Sequence, residues 1–311
     1  MITMKTKLMF PVLAAILGAL ASSAQTKPPA AGIPVKMVVS AEPQQGKEPP
    51  AIGRDHVRVT AEGKDVPVKD WVPLQGAQAD LELYILMDDS LTTSVTLQFS
   101  DFRRFTEQQP ATTSIGLAYM RNGVAQILQP PTRDHTKVAD QLRMPLSTLG
   151  AMTSPFLSLS DLIKRWPASS ARREILMVTS GVDPMGDMGP QNPYMDSAID
   201  QAQRAGIIVY AIYAPGIGHG GHSYWRVYWA QNHLAELTDE TGGEAYMLGF
   251  GPPVSFAPYL DDLAMHLAHQ YMVTFLATPR PKAGFQSVKV TTDVPNADLV
   301  TATRVWVPAE H

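Results

Sequence analysis

The spacing of apolar residues changes near residue 80. Before it, "VKMVVS" and "DHVRVTAEGKDVPVKDWV" alternate apolar and polar positions around the turn-forming Glu62-Gly63-Lys64, which predicts strands and a hairpin. After it, continuous apolar runs take over. "LYILM", "REILMVTSG", "GIIVYAIYAPG" and "EAYMLGF" read as strands, the run "LYILM" being of the kind buried on both faces. Helical spacing appears between them, in Val95, Phe99, Phe102 and Thr106 and again in Met195, Ala198, Ile199 and Ala202. Further helices are predicted around "NHLAELTDETGG", stopped by its paired glycines, and over "APYLDDLAMHLAHQ". "SIGLAYM" and "VAQILQ" meet at Asn122-Gly123 and predict a tight hairpin. "YMVTFLAT", "QSVKVTT" and "LVTATRVWV" then return to strand-like alternation.

This order predicts an α/β fold with a doubly wound, mainly parallel sheet, one antiparallel edge strand, and a small β module formed by the N- and C-terminal flanks. The expected divisions are a signal peptide over 1–24, a linker and N-terminal β segment over 25–77, the α/β domain over 78–270, and a C-terminal β segment over 271–311. Lys5 and Lys7 precede the apolar "LMFPVLAAILGAL", and Ser22 and Ala24 stand at the −3 and −1 positions of a cleavage site before Gln25. That run is short for a bilayer span, so the protein is expected to be secreted or periplasmic, with no membrane span in the mature chain. The 311 residues carry a formal charge of −4, and losing Lys5 and Lys7 would leave 23 basic against 29 acidic residues, a formal −6. The absence of a basic excess argues against nucleic acid as a partner. Cysteine is absent, which excludes disulfides, thiol catalysis and a lipidated N-terminal cysteine.

Chemistry concentrates in "LELYILMDDSLTTSV". In an open parallel sheet, ligands collect where strands end. Asp88, Ser90 and Thr92 follow the first apolar strand at i, i+2 and i+4, so one carboxylate and two hydroxyls can face a common point suited to a hard cation. The competing reading is that Ser90, Thr92 or Thr93 caps the next helix. Asp89 is expected to face away from Asp88. In "APGIGHGGHSYWRVYW", His219, His222, Tyr224 and Trp225 supply contact groups on a glycine-rich loop, with Trp229 assigned to the core. Met185 and Met188 offer either an adaptable surface or cover for the sheet. Asp262, His266 and His269 are placed on the solvated side of the last helix, and His233 and Glu236 likewise on theirs. No G-x-S-x-G, phosphate loop, dinucleotide fingerprint or H-E-x-x-H occurs. A hydrolase using Ser180 or Ser90 with a nearby histidine is the weakest alternative.

These anchors, in this order, resemble a von Willebrand factor type A domain over residues 80 to 270. That family's metal-ion-dependent adhesion site uses D-x-S-x-S after the first strand, a later Thr, and the Asp of a "T-D-G". The corresponding residues are Asp88, Ser90 and Thr92, then Thr153 in "GAMTSPFLSLSDLI", then Ser180 in "VTSGVD", where serine stands in place of aspartate. With one carboxylate lost, the resemblance implies a degenerate site that holds Mg²⁺ or another divalent cation weakly, or none. Asp183, His219, His222, Tyr224 and Trp225 would form its partner-binding rim. Over nearly the whole mature chain, the lead-in "RDHVRVTAEGKDVPV" and the β tail resemble bacterial secreted VWFA-related (Acidobacterial-type) proteins. The resemblance implies a secreted, non-enzymatic, adhesion-like domain that binds an unidentified protein partner. The alternative is a structural or assembly component binding through its flanking β module.

Overall fold

The alternating N-terminal segment forms β1 (Ile33–Pro43), β2 (Val57–Ala61), β3 (Lys64–Val66) and β4 (Val68–Pro73). The chain continues through β5 (Leu81–Asp88), α1 (Phe99–Gln108), β6 (Thr113–Arg121), β7 (Val124–Thr132), α2 (His135–Asp140), α3 (Pro155–Arg165) and β8 (Arg172–Thr179). Then come α4 (Pro193–Ala205), β9 (Ile207–Tyr213), α5 (Tyr224–Thr241), β10 (Ala245–Tyr246) and α6 (Ala257–Ala268). It closes with β11 (Gln270–Ala277), β12 (Gly284–Thr292), β13 (Ala297–Val300) and β14 (Arg304–Val307). This computed structural model describes residues 32–147, 153–186, 189–216, 223–247, 249, 251 and 253–310, so the expected signal peptide lies outside the described residues.

The apolar runs build a central sheet in the order β10-β9-β8-β5-β6-β7. Every pairing in it is parallel except β6 with β7, whose turn residues Asn122 and Gly123 have φ of 52° and 72°. That is the left-handed pair a two-residue hairpin requires. The sheet is covered on both sides, as its double-faced apolar strands demand. Leu83, Ile85 and Met87 pack under α1, α2 and α6, while Tyr84 and Leu86 pack under α3, α4 and α5. Gly116 on β6 is fitted to the Tyr84 ring, since a Cβ there would lie 2.4 Å from it. The α/β fold is the expected one, doubly wound with an antiparallel edge.

The flanks pair with each other. β1 and β11 run antiparallel from Ile33↔Ala277 to Ser40↔Gln270, in a sheet ordered β13-β1-β11-β4. A second sheet, β14-β12-β2-β3, packs on it through Val39, Val59, Phe275 and Val290. Two expectations are corrected. His266 on α6 and His233 on α5 are buried rather than solvated. β1 contributes Glu42 against His266, and His233 lies edge-on to Phe156 of α3. An amphipathic pattern identifies the apolar face but not what packs over the polar one.

Candidate functional site

β5 carries Asp88 to the end of the sheet where the parallel strands finish together. The carboxylate is 0% exposed. Its Oδ1 accepts hydrogen bonds from the Ser90 N–H at 2.8 Å and from Ser90 Oγ at 2.7 Å. Its Oδ2 accepts one from Thr179 Oγ1 at 2.7 Å, and Thr153 Oγ1 donates to Ser90 Oγ at 3.0 Å. Hydroxyls from three segments therefore converge on one buried acid. Burial pushes the Asp88 carboxyl above its ordinary range, and the Ser90 and Thr179 donors pull it back only in part.

Thr179 is the residue that sequence reasoning missed. Met87 is in register with Val178 on the parallel ladder, so Asp88 and Thr179 are the next pair of neighbours and point to the same side. The detectable signal was register, which spacing within one strand cannot supply. Ser180, the residue expected at this place, lies one position further on and outside the hydrogen-bonded cluster. Its Oγ accepts the Val182 N–H at 3.4 Å, and Gly181 (φ 69°) turns the chain where a Cβ would lie 2.8 Å from Ala230 O.

Thr92 also stands apart. Its Oγ1 pairs with Ser94 Oγ at 2.6 Å, and its N–H donates to Pro215 O. Nor does its side chain cap the 3₁₀ turn Thr93–Gln98. Asp183 is corrected from rim to interior. It is 1% exposed, and it accepts from Ser154 Oγ at 2.8 Å, Asn192 Nδ2 at 3.2 Å and the Met185 and Gly186 N–H groups, so it organises its own loop. Asp89 faces away from Asp88, as expected. Both of its oxygens are held by Arg143, at 2.6 and 2.8 Å, and the Arg143 guanidinium lies 3.9 Å from the Tyr119 ring centroid.

After β9, Tyr224 and Trp225 open α5 as exposed aromatics in contact with Tyr228. His219 and His222 lie outside the described residues. Among the described residues, neither Ser90 nor Ser180 hydrogen-bonds a histidine, the first requirement of a serine nucleophile.

Among the described residues, a resident dication does not fit this donor set. It holds a single carboxylate, both of whose oxygens already accept protein donors, and of the two further hydroxyls expected to join, one faces Ser94 and the other its own loop. Hard cations of the Mg²⁺ type need several free oxygen donors around one point.

No family profile matches the chain, and no curated protein sequence does. Solved structures are similar in fold. BatB from Bacteroides thetaiotaomicron aligns over 60% of this chain and 97% of its own, with 13% identity and a TM-score of 0.44. An aerotolerance-related membrane protein from Bacteroides fragilis aligns over 60% and 98%, with 12% identity and a TM-score of 0.43. The ArnB paralog VWA2 from Sulfolobus acidocaldarius aligns over 88% and 76%, with 10% identity and a TM-score of 0.40. With its parallel strands, antiparallel edge hairpin and helices on both faces, the α/β part is von Willebrand factor A-like in fold.

Proposed function

We propose that this chain is an exported, non-enzymatic protein-binding module that engages a protein partner through the face around Asp88. The observation that supports this reading is the placement of a buried Asp88–Ser90–Thr153–Thr179 cluster at the carboxyl ends of the parallel strands, the end at which α5 begins with exposed aromatic side chains. Loops at that end are where this architecture builds its binding surfaces. The cluster is read as a degenerate metal-ion-dependent adhesion site. Its hydrogen bonds now hold the loops that once would have held an ion.

Capture of partners from an envelope extract tests the reading, with Trp225→Ala altering the upper face and Val72→Glu altering exposed strand β4 of the flanking module. Loss of the captured protein with Trp225→Ala alone is expected. Loss with Val72→Glu alone would transfer the function to the β module and make the chain an assembly component. N-terminal sequencing of the exported form, expected to begin at Gln25, checks the compartment.

A further inference from the structure

Polar side chains that helical spacing assigns to water are, on α6, folded into a joint between two parts of the chain. The His266 side chain is 6% exposed, and both of its ring nitrogens face carboxylates. Nε2 lies 3.1 Å from Asp262 Oδ2, one turn earlier on the same helix, and Nδ1 lies 3.3 Å from Glu42 Oε1 on β1. A neutral imidazole carries a single N–H, so it satisfies one of these oxygens and turns a lone pair towards the other. Both contacts hold together only while a proton lies between His266 and Glu42. Close by, the Ala41 N–H donates to His269 O at 2.9 Å and joins β1 to the end of α6 through main-chain groups, which do not titrate.

Every element around the ring adds to the need for that proton. α6 supplies Asp261 and Asp262, and Arg104 of α1 pairs with Asp261 at 3.4 Å. β1 supplies Glu42, and the chain beyond it Lys47. Glu244 immediately precedes β10, and Tyr246 within it donates its hydroxyl to Asp262 Oδ2 at 3.0 Å. β9 sets the Tyr210 ring 6.2 Å from the imidazole, centroid to centroid. Further out, Asp298 of β13 repels Glu42 and Asp239 of α5 repels Glu244. Glu42, Lys47, Glu244, Asp261, Asp262 and His266 line one hollow of about 630 Å³. Among the described residues, four carboxylates around it stand against Lys47 and Arg104, so losing the imidazolium leaves like charges facing one another.

The titration of these groups has a definite sign. Burial tends to lower His266, but the Asp262 hydrogen bond and the fields of Glu42, Asp262 and Glu244 raise it above its ordinary value. A raised histidine favours the closed joint at low pH, and that contribution is lost as pH climbs through the folded value. Burial raises the Glu42 and Glu244 carboxyls, which carries the same sign. The hydrogen bond to His266 lowers Asp262, whose contribution is lost only as pH falls through its own folded value. Between the folded values of Asp262 and His266 the joint is closed.

We propose that the Glu42–His266 contact is a proton-dependent latch between the β module and α6. Protonated, it holds the last turn of α6 against β1. Deprotonated, it releases Glu42 and lets that turn open about the fixed Ala41–His269 bond. Glu42 is the group let go because Asp262 keeps two donors, the Tyr246 hydroxyl and the N–H that a neutral imidazole retains. The latch does not depend on what binds at the face around Asp88.

Hydrogen exchange read by mass spectrometry tests this on the full chain, over a pH series with labelling times scaled to the intrinsic exchange rate. The peptide covering Ala264–Ala268 should lose about 10-fold of its protection as pH passes through the value at which the His266 ring itself titrates, because a proton held about 10-fold more tightly in the closed joint makes opening that much easier once it is gone. Ring-nitrogen NMR of the same protein gives that value. The peptide covering Leu81–Asp88 should keep its protection throughout, which separates the latch from global unfolding. Glu42→Gln should abolish the step and leave Leu81–Asp88 protected, since an amide does not need the proton to face the ring. His266→Gln should abolish it as well. A wild type with no step across the ring's titration would overturn the proposal. So would a step that survives Glu42→Gln, or one that appears equally over Leu81–Asp88.

Discussion

A buried carboxylate that accepts three hydrogen bonds has little left to offer a cation, and this governs what single substitutions at Asp88 and its neighbours can do. Thr179 Oγ1 and Ser90 Oγ already hold the Asp88 oxygens at 2.7 Å each. Binding a dication would require those hydroxyls to turn and the acid to keep its charge against a burial that favours its neutral form. A second carboxylate nearby would change that balance, because it contributes charge that no hydroxyl supplies. Ser180 is the position to place it, buried beside Gly216, where the glycine leaves the Ser180 Oγ just 3.0 Å from a would-be Cβ. Titration calorimetry should give no heat from the wild type at about millimolar Mg²⁺ or Mn²⁺, and measurable binding by Ser180→Asp, a gain on the order of 10-fold or more. Wild-type binding at that level would show that the hydroxyls reorganise readily. Silence from both proteins would mean that position 180 does not face the cluster closely enough to coordinate. The spacing within "DDSLTT" indicated that Asp88 and Ser90 would meet, because that contact is local. It gave no indication of Thr179, whose contact depends on the register of two strands 91 positions apart in sequence.

Secondary-structure elements were legible where their causes are local. The apolar run of β5, the Asn122-Gly123 turn, and the Gly242 stop of α5, whose φ is 82°, each carry their own signal. The polar face of α6 did not, because its environment is made by distant elements. His266 is held between Asp262 Oδ2 at 3.1 Å and Glu42 Oε1 of β1 at 3.3 Å, and Tyr246 of β10 donates its hydroxyl to the same Asp262 oxygen at 3.0 Å. Burial by itself would lower the imidazole's affinity for a proton. The Asp262 hydrogen bond and the fields of Glu42, Asp262 and Glu244 outweigh it and raise His266 above its ordinary value. A histidine raised in the folded state stabilises it fully below the unfolded value, about 6.5, and the contribution disappears as pH climbs through the higher folded value. His266→Gln should therefore lower the urea midpoint more at about pH 6 than at a pH above the raised folded value, where the contribution is lost. The expected cost at the lower pH is roughly 1 kcal/mol, that of a partly screened charged hydrogen bond. Equal losses at both pH values would mean that His266 acts through packing alone.

Whether the α/β part can exist without its flanks is decided at the end of the central sheet opposite Asp88. There Arg172 and Glu174 of β8 are buried together with Tyr210 of β9, and the closing residues come from outside the sheet. Gln270 of β11 donates to Ser40 Oγ of β1 at 3.2 Å and to Tyr210 Oη at 3.3 Å. Burial raises the Glu174 carboxyl, and Arg172, 3.3 Å away, partly opposes that. The flanks are joined to the helices at other points too. Arg204 of α4 stacks on Trp306 of β14 at 3.7 Å, Arg304 of β14 pairs with Asp200 of α4 at 2.9 Å, and the Thr303 N–H donates to Glu240 O of α5. Only His269 separates α6 from β11, so the last helix cannot shift without moving the β module. The sequence division at 78 and 270 would sever the contacts made by Ser40, Thr303, Arg304 and Trp306 and remove Val38 of β1, which packs on the main core. The full chain should consequently unfold in urea as one transition, with far-UV circular dichroism and tryptophan fluorescence coincident. Trp71 and Trp306 report the β module and Trp166 the α/β core, so separate unfolding of the two parts would split the fluorescence transition from the circular dichroism one. A fragment spanning 78–270 should show no cooperative transition, because it leaves buried Gln270 without Ser40, at about 1–3 kcal/mol, and also loses Val38 and the Trp306 and Arg304 contacts, together a large part of a typical domain's total stability. A sigmoidal transition from that fragment, close to the midpoint of the full chain, would mean that the flanks are an attached module and that the α/β part alone is the folding unit.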